Sequence, residues 1–291
     1  MMRPLTRKIA DEVNAIRLRL EGETIWHDSM AECVQRIAQL HRLGPEDPNN
    51  LATAGRGLAL FGPAGCGKSK IIDLYHAQYA PDPAKVLKVR VPQVARAEDL
   101  VIKILEELED RYPADGTHRR RITRSLDAMV ERDIGLVLFD EIHHFLAKSS
   151  RADVNTRGGH FLKQYLDSIK IPTFVAGTLE AEKLFQSHAE LKRRFVCIYY
   201  DPFNWSRPAS RRQFFGLLEG FARALPFPNA GAVLSQEDIA ACIHRNADGV
   251  IAYVRMILVQ AAEMTLRAGG PTLEPWAVRK AAEAHGQTVT L

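Results

Sequence analysis

The sequence predicts an α/β fold with a five-stranded parallel sheet, a helical segment before it and a helical subdomain after it. Short apolar runs alternate with helical stretches, an order typical of parallel βαβ units. The five predicted strands are Gly57–Phe61, Val86–Val91, Ile134–Phe139, Thr173–Ala176 and Phe195–Tyr200. A glycine-rich turn follows the first of them, and the patterns in 209–291 are all helical. We therefore divide the chain into 1–50, 51–203 and 204–291.

Two of the strands have patterns that predict their places in the sheet. In Val86–Val91, apolar residues alternate with Lys88 and Arg90, which suits a less buried strand at an edge. The run Ile134–Phe139 is almost wholly apolar, which suits a strand covered on both faces. The N-terminal helical segment is expected to end at 44–50, because that stretch is rich in Pro, Asn and Asp.

The composition excludes several classes of protein and leaves the partner open. With 46% hydrophobic and 25% charged residues among 291, the chain is neither disordered nor collagen-like. The 39 basic residues against 35 acidic ones give a net charge of +4, which permits nucleic-acid binding without requiring it. The four cysteines are too far apart for metal-ligand spacing and indicate a reducing compartment. With no signal peptide and no apolar run of about 18 residues, we expect a cytoplasmic protein without a membrane segment.

The strongest motif is a phosphate-binding loop of the form G-x-x-x-x-G-K-[ST], placed between a strand and a helix. Its residues are Gly62, Pro63, Ala64, Gly65, Cys66, Gly67, Lys68 and Ser69. Glycines let successive backbone N–H groups point at phosphate oxygens. Lys68 is expected to reach the β- and γ-phosphates of ATP, and the Ser69 hydroxyl to bind Mg²⁺.

An acidic pair ends the third predicted strand. Asp140 is expected near the Mg²⁺ ion, and Glu141 is positioned to polarise the water that attacks the phosphate. An alternative for Glu141 is a solvated loop acid. His143 and His144 follow at once, and adjacent residues on a helix point to different faces, so we do not expect them to form a metal pair.

Two further positions have both a mechanistic and an ordinary interpretation. Thr178 follows the fourth strand, so it either faces the γ-phosphate or caps the helix that begins after it. An arginine of the stretch Leu191-Lys192-Arg193-Arg194-Phe195, just before the fifth strand, is placed to reach a phosphate on a neighbouring subunit. A solvated basic turn is the alternative for both arginines.

Two basic stretches are candidates for contacts with DNA phosphates, which supply affinity independent of sequence. The candidate residues are Arg119, Arg120, Arg121, Lys148, Arg151 and Arg157. The first three precede the third strand and have Arg124 close behind them; the others follow the acidic pair. A solvated charged face is the alternative for each stretch.

These motifs together resemble the AAA+ ATPases, and more closely the TniB/TnsC group of transposition ATPases. The resemblance extends over nearly the whole chain. The residues that carry it are Trp26, the loop Gly62–Ser69, Asp140-Glu141-Ile142-His143, the string from Ile171 to Thr178, Arg194-Phe195 and Trp205.

The resemblance implies an ATP-dependent DNA-binding regulator of DNA transposition. Such proteins bind ATP and Mg²⁺ and assemble as homo-oligomeric rings or helical filaments on duplex DNA, largely without sequence preference. They link a target-selection protein to a DDE transposase. By matching position, the resemblance assigns the loop as the Walker A motif, Asp140 and Glu141 as the Walker B pair and Thr178 as sensor 1. It assigns Arg194 as the arginine finger, with Arg193 as the second choice. The chain departs from the Gly-x-x-Arg sensor-2 pattern, because Gly249 is followed by three apolar residues and the next arginine is Arg255.

Two other classes share these core motifs. A DNA-independent AAA+ assembly or secretion ATPase is the principal alternative, disfavoured by the lack of a membrane segment or an added binding domain. A replication-initiator-like ATPase is less expected, because those proteins usually carry a helix-turn-helix or winged-helix domain after the lid.

Overall fold

The structure, a computed structural model, describes residues 4, 6–43, 57–93, 96–146, 164–166, 168–187 and 189–289. The chain divides into two compact units. The first combines Met1–Ala31 and Gly65–Gly67 with Asp201–Leu291, and the second combines Glu32–Ala64 with Lys68–Tyr200. This division differs from the predicted one at its start, because residues before 32 group with the C-terminal helices.

The second unit contains the predicted parallel sheet of five strands, in the order β2-β3-β4-β1-β5. Their bounds are β1 Gly57–Phe61, β2 Val86–Arg90, β3 Leu136–Asp140, β4 Thr173–Gly177 and β5 Phe195–Tyr199. β1, β3 and β4 are buried along their whole length. β2 is an edge strand, as its alternating pattern predicted, and β5 forms the opposite edge.

The helices of the second unit come mainly from the segments between strands. They are α3 Lys68–Leu74 with a π-helical turn at Tyr75–Tyr79, α4 Ala97–Glu107, α5 His118–Glu131, α6 Leu179–Ser187 and α7 Ala189–Arg194. Short 3₁₀ helices cover Pro83–Lys85 and Ile142–Leu146. Apolar residues of α4 pack with Val89, Phe139 and Val175 of the sheet in one buried cluster. This core holds the ends of the central strands in a fixed arrangement.

The first unit is helical. Its helices are α1 Arg7–Gly22, α8 Pro208–Ala224, α9 Ala230–Leu234, α10 Glu237–Ala247, α11 Ile251–Ala268 and α12 Pro275–Val289. A further helix, α2 Asp28–Arg42, begins in this unit and continues into the other. Ile16 and Leu20 of α1 are buried in the same cluster as Phe214 and Leu217 of α8. This burial explains why the N-terminal segment groups with the C-terminal helices.

Within the described residues, no single helix is long and apolar enough to cross a membrane. Taken together, α10 and α11 have the length and apolar composition of a membrane-spanning segment, but they are bent by 119° at the break between them.

Candidate nucleotide-binding and hydrolysis site

The glycine-rich loop joins the end of β1 to the start of α3. Gly65 and Gly67 have φ angles of 80° and 107°, in the region that favours glycine. The loop therefore needs glycine at both positions to keep its curled path. The motif lies between a strand and a helix, as the sequence predicted.

Lys68 is the cation of this loop. Its side chain is 93% buried, and its ammonium group donates hydrogen bonds to the carbonyl oxygens of Gly62 at 2.8 Å and Pro63 at 2.7 Å. A buried ammonium ion held within the curve of the loop attracts an anion, because burial reduces the screening of its charge by solvent. Lys68 is therefore in place to meet phosphate oxygens.

Asp140 and Ser69 form a second polar pair. Asp140 ends β3, is 7% exposed, and accepts hydrogen bonds from the Ser69 hydroxyl and from the backbone N–H of Glu141 at 2.9 Å. Burial raises the pKa of Asp140, and these hydrogen bonds oppose that shift. A hydroxyl beside a carboxylate is an oxygen donor set that suits Mg²⁺.

Glu141 has an unusual backbone conformation. Its φ angle is 59°, in the left-handed region, where a residue other than glycine bears strain of about 1–2 kcal/mol. Its side chain is one quarter exposed, with Oε1 4.0 Å from Nη2 of Arg90 and Oε2 3.2 Å from Nδ1 of His143. The carboxylate thus lies where water reaches it, beside two basic side chains.

The sequence did not single out Arg90 as a site residue. It ends the edge strand β2 and pairs in register with Asp140 of β3. The alternating pattern of β2 predicted an edge strand, but only the strand order shows that Arg90 lies beside the acidic pair. The signal that could have found it is an arginine at the carboxyl end of a strand in a parallel sheet.

Thr178 follows β4, which neighbours β3 in the sheet. Its Oγ1 atom is buried and makes no hydrogen bond in the described part of the chain. The backbone carbonyl oxygen of Thr178 accepts a hydrogen bond of 2.9 Å from the N–H of Ala181, in the first turn of α6. Among the described residues, the hydroxyl therefore does not cap α6.

The two arginines before β5 differ in their surroundings. Arg194 is half-buried, and its Nη2 donates a hydrogen bond of 2.6 Å to the carbonyl oxygen of Ile169. Arg193, the residue before it, is exposed. In this conformation Arg194 stabilises the end of α7, whereas Arg193 points its charge to solvent.

The basic start of α5 needs one correction. Arg121 is 9% exposed and donates hydrogen bonds to the carbonyl oxygens of Ala114 and Gly116, so it is not available to a DNA phosphate. Arg119 and Arg120 are exposed and have no ion pair among the described residues. The other three candidates, Lys148, Arg151 and Arg157, lie outside the described residues.

The helix α11 approaches Gly65 within the first unit. The backbone N–H of Ala252 donates to the Gly65 carbonyl oxygen at 3.1 Å, and a Cβ atom on Gly65 would lie 2.7 Å from that of Ala252. Arg255, one turn further along α11, is half-buried. The first turn of α11 therefore contacts Gly65 through apolar residues and backbone.

A comparison with protein families identifies the chain. The model for the family described as "Bacterial TniB protein" matches residues 17–205, about two thirds of the sequence. The chain belongs to the TniB family. It is accordingly a nucleotide-binding AAA+ ATPase, as the motifs predicted. A search of curated proteins returned no match.

Solved structures show the same fold for this TniB-family chain. The Aeropyrum pernix ORC1 protein in complex with DNA matches with a TM-score of 0.63 at 17% identity, over 92% of this chain and 69% of that one. The ORC2 protein of the same organism, in ADPNP and ADP complexes, matches with a TM-score of 0.59 at 17% identity, over 97% and 69%. CDC6P from Pyrobaculum aerophilum matches with a TM-score of 0.57 at 14% identity, over 98% and 69%. At these identities the likeness concerns the fold alone.

Proposed function

We propose that this TniB-family ATPase is an ATP-dependent DNA-binding regulator of DNA transposition. It oligomerises on target DNA, largely without sequence preference, and recruits or activates a DDE transposase together with a target-selection protein. The observation that carries the proposal is a full set of hydrolytic groups in a member of this family. Those groups are Lys68, the pair Ser69 and Asp140, and Glu141.

The polar groups of the site fit ATP and Mg²⁺. The buried hydroxyl of Thr178 has no hydrogen-bond partner in the described residues, and a phosphate oxygen would satisfy it. Ser69 and Asp140 would hold Mg²⁺, which neutralises charge on the β- and γ-phosphates when it is bound. The residues of the chain thus match a nucleoside triphosphate with its metal ion.

Each residue has a distinct role in the proposed reaction. Lys68 binds phosphate oxygens and stabilises the charge that develops on them. Glu141 orients a water molecule and accepts its proton as the oxygen attacks the γ-phosphate. Thr178 donates a hydrogen bond that places the phosphate between these groups. Catalysis comes mainly from positioning and charge.

A basic concave surface on α5 is the proposed contact with DNA. It has a volume of about 490 Å³, and its lining residues are Thr117, Arg119, Arg120, Thr123, Arg124 and Asp127. Arg124 pairs with Asp110 at 2.7 Å and donates to the carbonyl of Tyr112, which holds the preceding loop. That leaves Arg119 and Arg120 as the cations for phosphates. Neither arginine has a base-reading context, so affinity should not depend on sequence.

The experiment that tests the function is assembly on DNA. Sedimentation and negative-stain imaging would use a slowly hydrolysed ATP analogue, with and without duplex DNA of random sequence. We expect large ordered assemblies only when both are present. Assemblies that form equally well without DNA, and contain none when it is offered, would contradict the proposal and favour a DNA-independent assembly ATPase.

The surface of α5 is tested by measuring DNA affinity at several salt concentrations. The double substitution Arg119→Ala/Arg120→Ala should weaken DNA binding for every sequence. The slope of log affinity against log salt should become shallower by roughly 2, since each lost phosphate contact contributes about 0.9. Arg223→Ala, an exposed arginine paired with Glu219 on α8, is the matched control. An unchanged salt slope in the double variant would remove α5 from the interface.

We also propose that the arginine pair at the end of α7 supplies charge to ATP on a neighbouring subunit. Arg193 is exposed, and Arg194 must release the Ile169 carbonyl to act in this way. Loss of the acting arginine should lower turnover by about 10³-fold or more. Mixing that variant with Lys68→Ala subunits, which keep both arginines, should restore part of the activity. The arginine whose variant is restored is the finger; restoration of neither would contradict the proposal.

A further inference from the structure

Two adjacent histidines converge beside the Walker B glutamate, although the sequence predicted that they would point apart. The ring centroids of His143 and His144 are only 4.6 Å apart. They lie in the 3₁₀ helix Ile142–Leu146, which directly follows the strained backbone of Glu141. One ligand atom from each of Glu141, His143 and His144 lies within 4.8 Å of the other two.

We propose that Glu141, His143 and His144 form a binding site for a divalent transition metal ion such as Zn²⁺. Two imidazoles and a carboxylate, with water in the fourth position, are a donor set that zinc uses in proteins. Imidazole nitrogen favours zinc over Mg²⁺, which prefers oxygen ligands. This site is therefore chemically distinct from the oxygen pair of Ser69 and Asp140.

One hydrogen bond of His144 sets the tautomer of its ring. Its Nδ1 lies 2.9 Å from the backbone carbonyl oxygen of Val91. Because a carbonyl only accepts, Nδ1 carries the proton, and Nε2 keeps a lone pair. Metal-binding histidines commonly donate their second ring nitrogen in this way, which fixes the orientation of the ring.

The Nδ1 atom of His143 lies close to Glu141. This atom is buried and makes no hydrogen bond of acceptable geometry among the described residues, although it lies 3.2 Å from Oε2 of Glu141. Burial lowers the pKa of His143 below its usual value of 6.5, an effect that Glu141 opposes and that His144 and Lys68 reinforce.

The distances and charges around the cluster are compatible with an ion. Ligand atoms around tetrahedral zinc lie roughly 3.4 Å apart, so any pair of ligand atoms in the cluster, all within 4.8 Å of one another, would have to close by about 1.4 Å at most. Lys68 acts electrostatically on His143, Arg90 lies near Glu141, and Glu180 is a further carboxylate near His143. Arg90 is 74% exposed, so its side chain is able to turn away toward solvent.

The consequence of binding rests on the proposed role of Glu141. A metal ion on this carboxylate would occupy the lone pair that accepts the proton of the attacking water. Hydrolysis would then stop while Lys68 still holds ATP. Zinc would thus keep the protein in its ATP-bound state.

Direct binding to the full-length, nucleotide-free protein is the first test. Calorimetry with Zn²⁺ and visible absorption with Co²⁺ should show one site with nitrogen and oxygen ligands and no thiolate band. His143→Ala and His144→Ala should each weaken binding by about 10-fold or more. His76→Ala and the double variant Cys197→Ser/Cys242→Ser are controls for other histidines and thiols, and they should bind as the parent does. Unchanged affinity in both His143→Ala and His144→Ala would overturn the site.

Turnover provides an independent second measurement. With saturating ATP and Mg²⁺, Zn²⁺ should inhibit the parent, and the half-inhibitory concentration should rise by about 10-fold or more in each histidine variant, relative to its own zinc-free rate. Zinc that binds at the cluster without inhibiting would contradict the role of Glu141 and leave the metal site standing. The binding measurement therefore tests the metal site, and the turnover measurement tests the role of Glu141.

Discussion

Replacing Glu141 with glutamine is expected to lower ATP turnover by about 10²–10⁴-fold while ATP binding stays near the parental level. Glutamine keeps the shape of the side chain but cannot accept a proton from water. The groups that hold phosphate, Lys68 and the Ser69–Asp140 pair, remain in place. The variant should therefore trap ATP-dependent assemblies on DNA.

Steady-state phosphate release and equilibrium binding of a fluorescent ATP analogue would separate these two effects. Glu219→Gln is a matched control, because Glu219 is exposed on α8 and pairs only with Arg223 in the described residues. Parental turnover in Glu141→Gln would show that another group accepts the proton. A parallel loss of ATP binding would show that Glu141 helps to hold the nucleotide.

Replacing Gly249 with alanine is expected to give the largest loss of stability, about 3–5 kcal/mol, or failure to fold. Gly249 has a φ angle of 68°, and a Cβ atom there would lie 2.1 Å from the backbone carbonyl oxygen of Phe203. That carbonyl also accepts a 2.7 Å hydrogen bond from Nε2 of His244. The N–H of Phe203 in turn donates to the Gly249 carbonyl at 3.1 Å. Neither backbone segment is able to move away without breaking these bonds.

Denaturant unfolding followed by circular dichroism would measure this effect. Gly216→Ala is the control, since Gly216 lies inside α8 and a Cβ atom there would meet nothing within 4 Å. That change should stabilise the protein by about 0.5–1 kcal/mol, because alanine is the better helix former. A Gly249→Ala protein within 1 kcal/mol of the parent would mean that the turn before α11 tolerates the rearrangement.

Much of the fold and part of the site could be predicted from local patterns. The five apolar runs became the five strands, with no end shifted by more than two residues. The edge position of β2 followed from its alternating polarity, and it is confirmed. Lys68 and Ser69 begin the helix that follows β1 and the glycine-rich loop, and Asp140 ends β3, so the motifs alone placed them relative to their own strands.

The predictions that differed from the structure concerned geometry beyond a single element. His143 and His144 were expected to diverge as on an α-helix, but they follow a left-handed residue and lie in a 3₁₀ turn, where their rings converge. Arg121 was grouped with exposed arginines, yet its guanidinium closes the loop before α5. Helical periodicity could not predict the convergence of the two histidine rings or the burial of Arg121, because both depend on the backbone around the residue.

The sequence by itself determined the strands, the phosphate loop, the acidic pair and membership of the TniB family. Each of these is recognised from the types of residues and their order along the chain. Only the tertiary structure decided that β3 lies between β2 and β4, which places Arg90 and Thr178 on either side of the acidic pair. It also decided that α1 packs with α8. The physical reason is that periodicity predicts which face of a helix or strand is apolar, whereas packing over the whole chain determines which element covers that face.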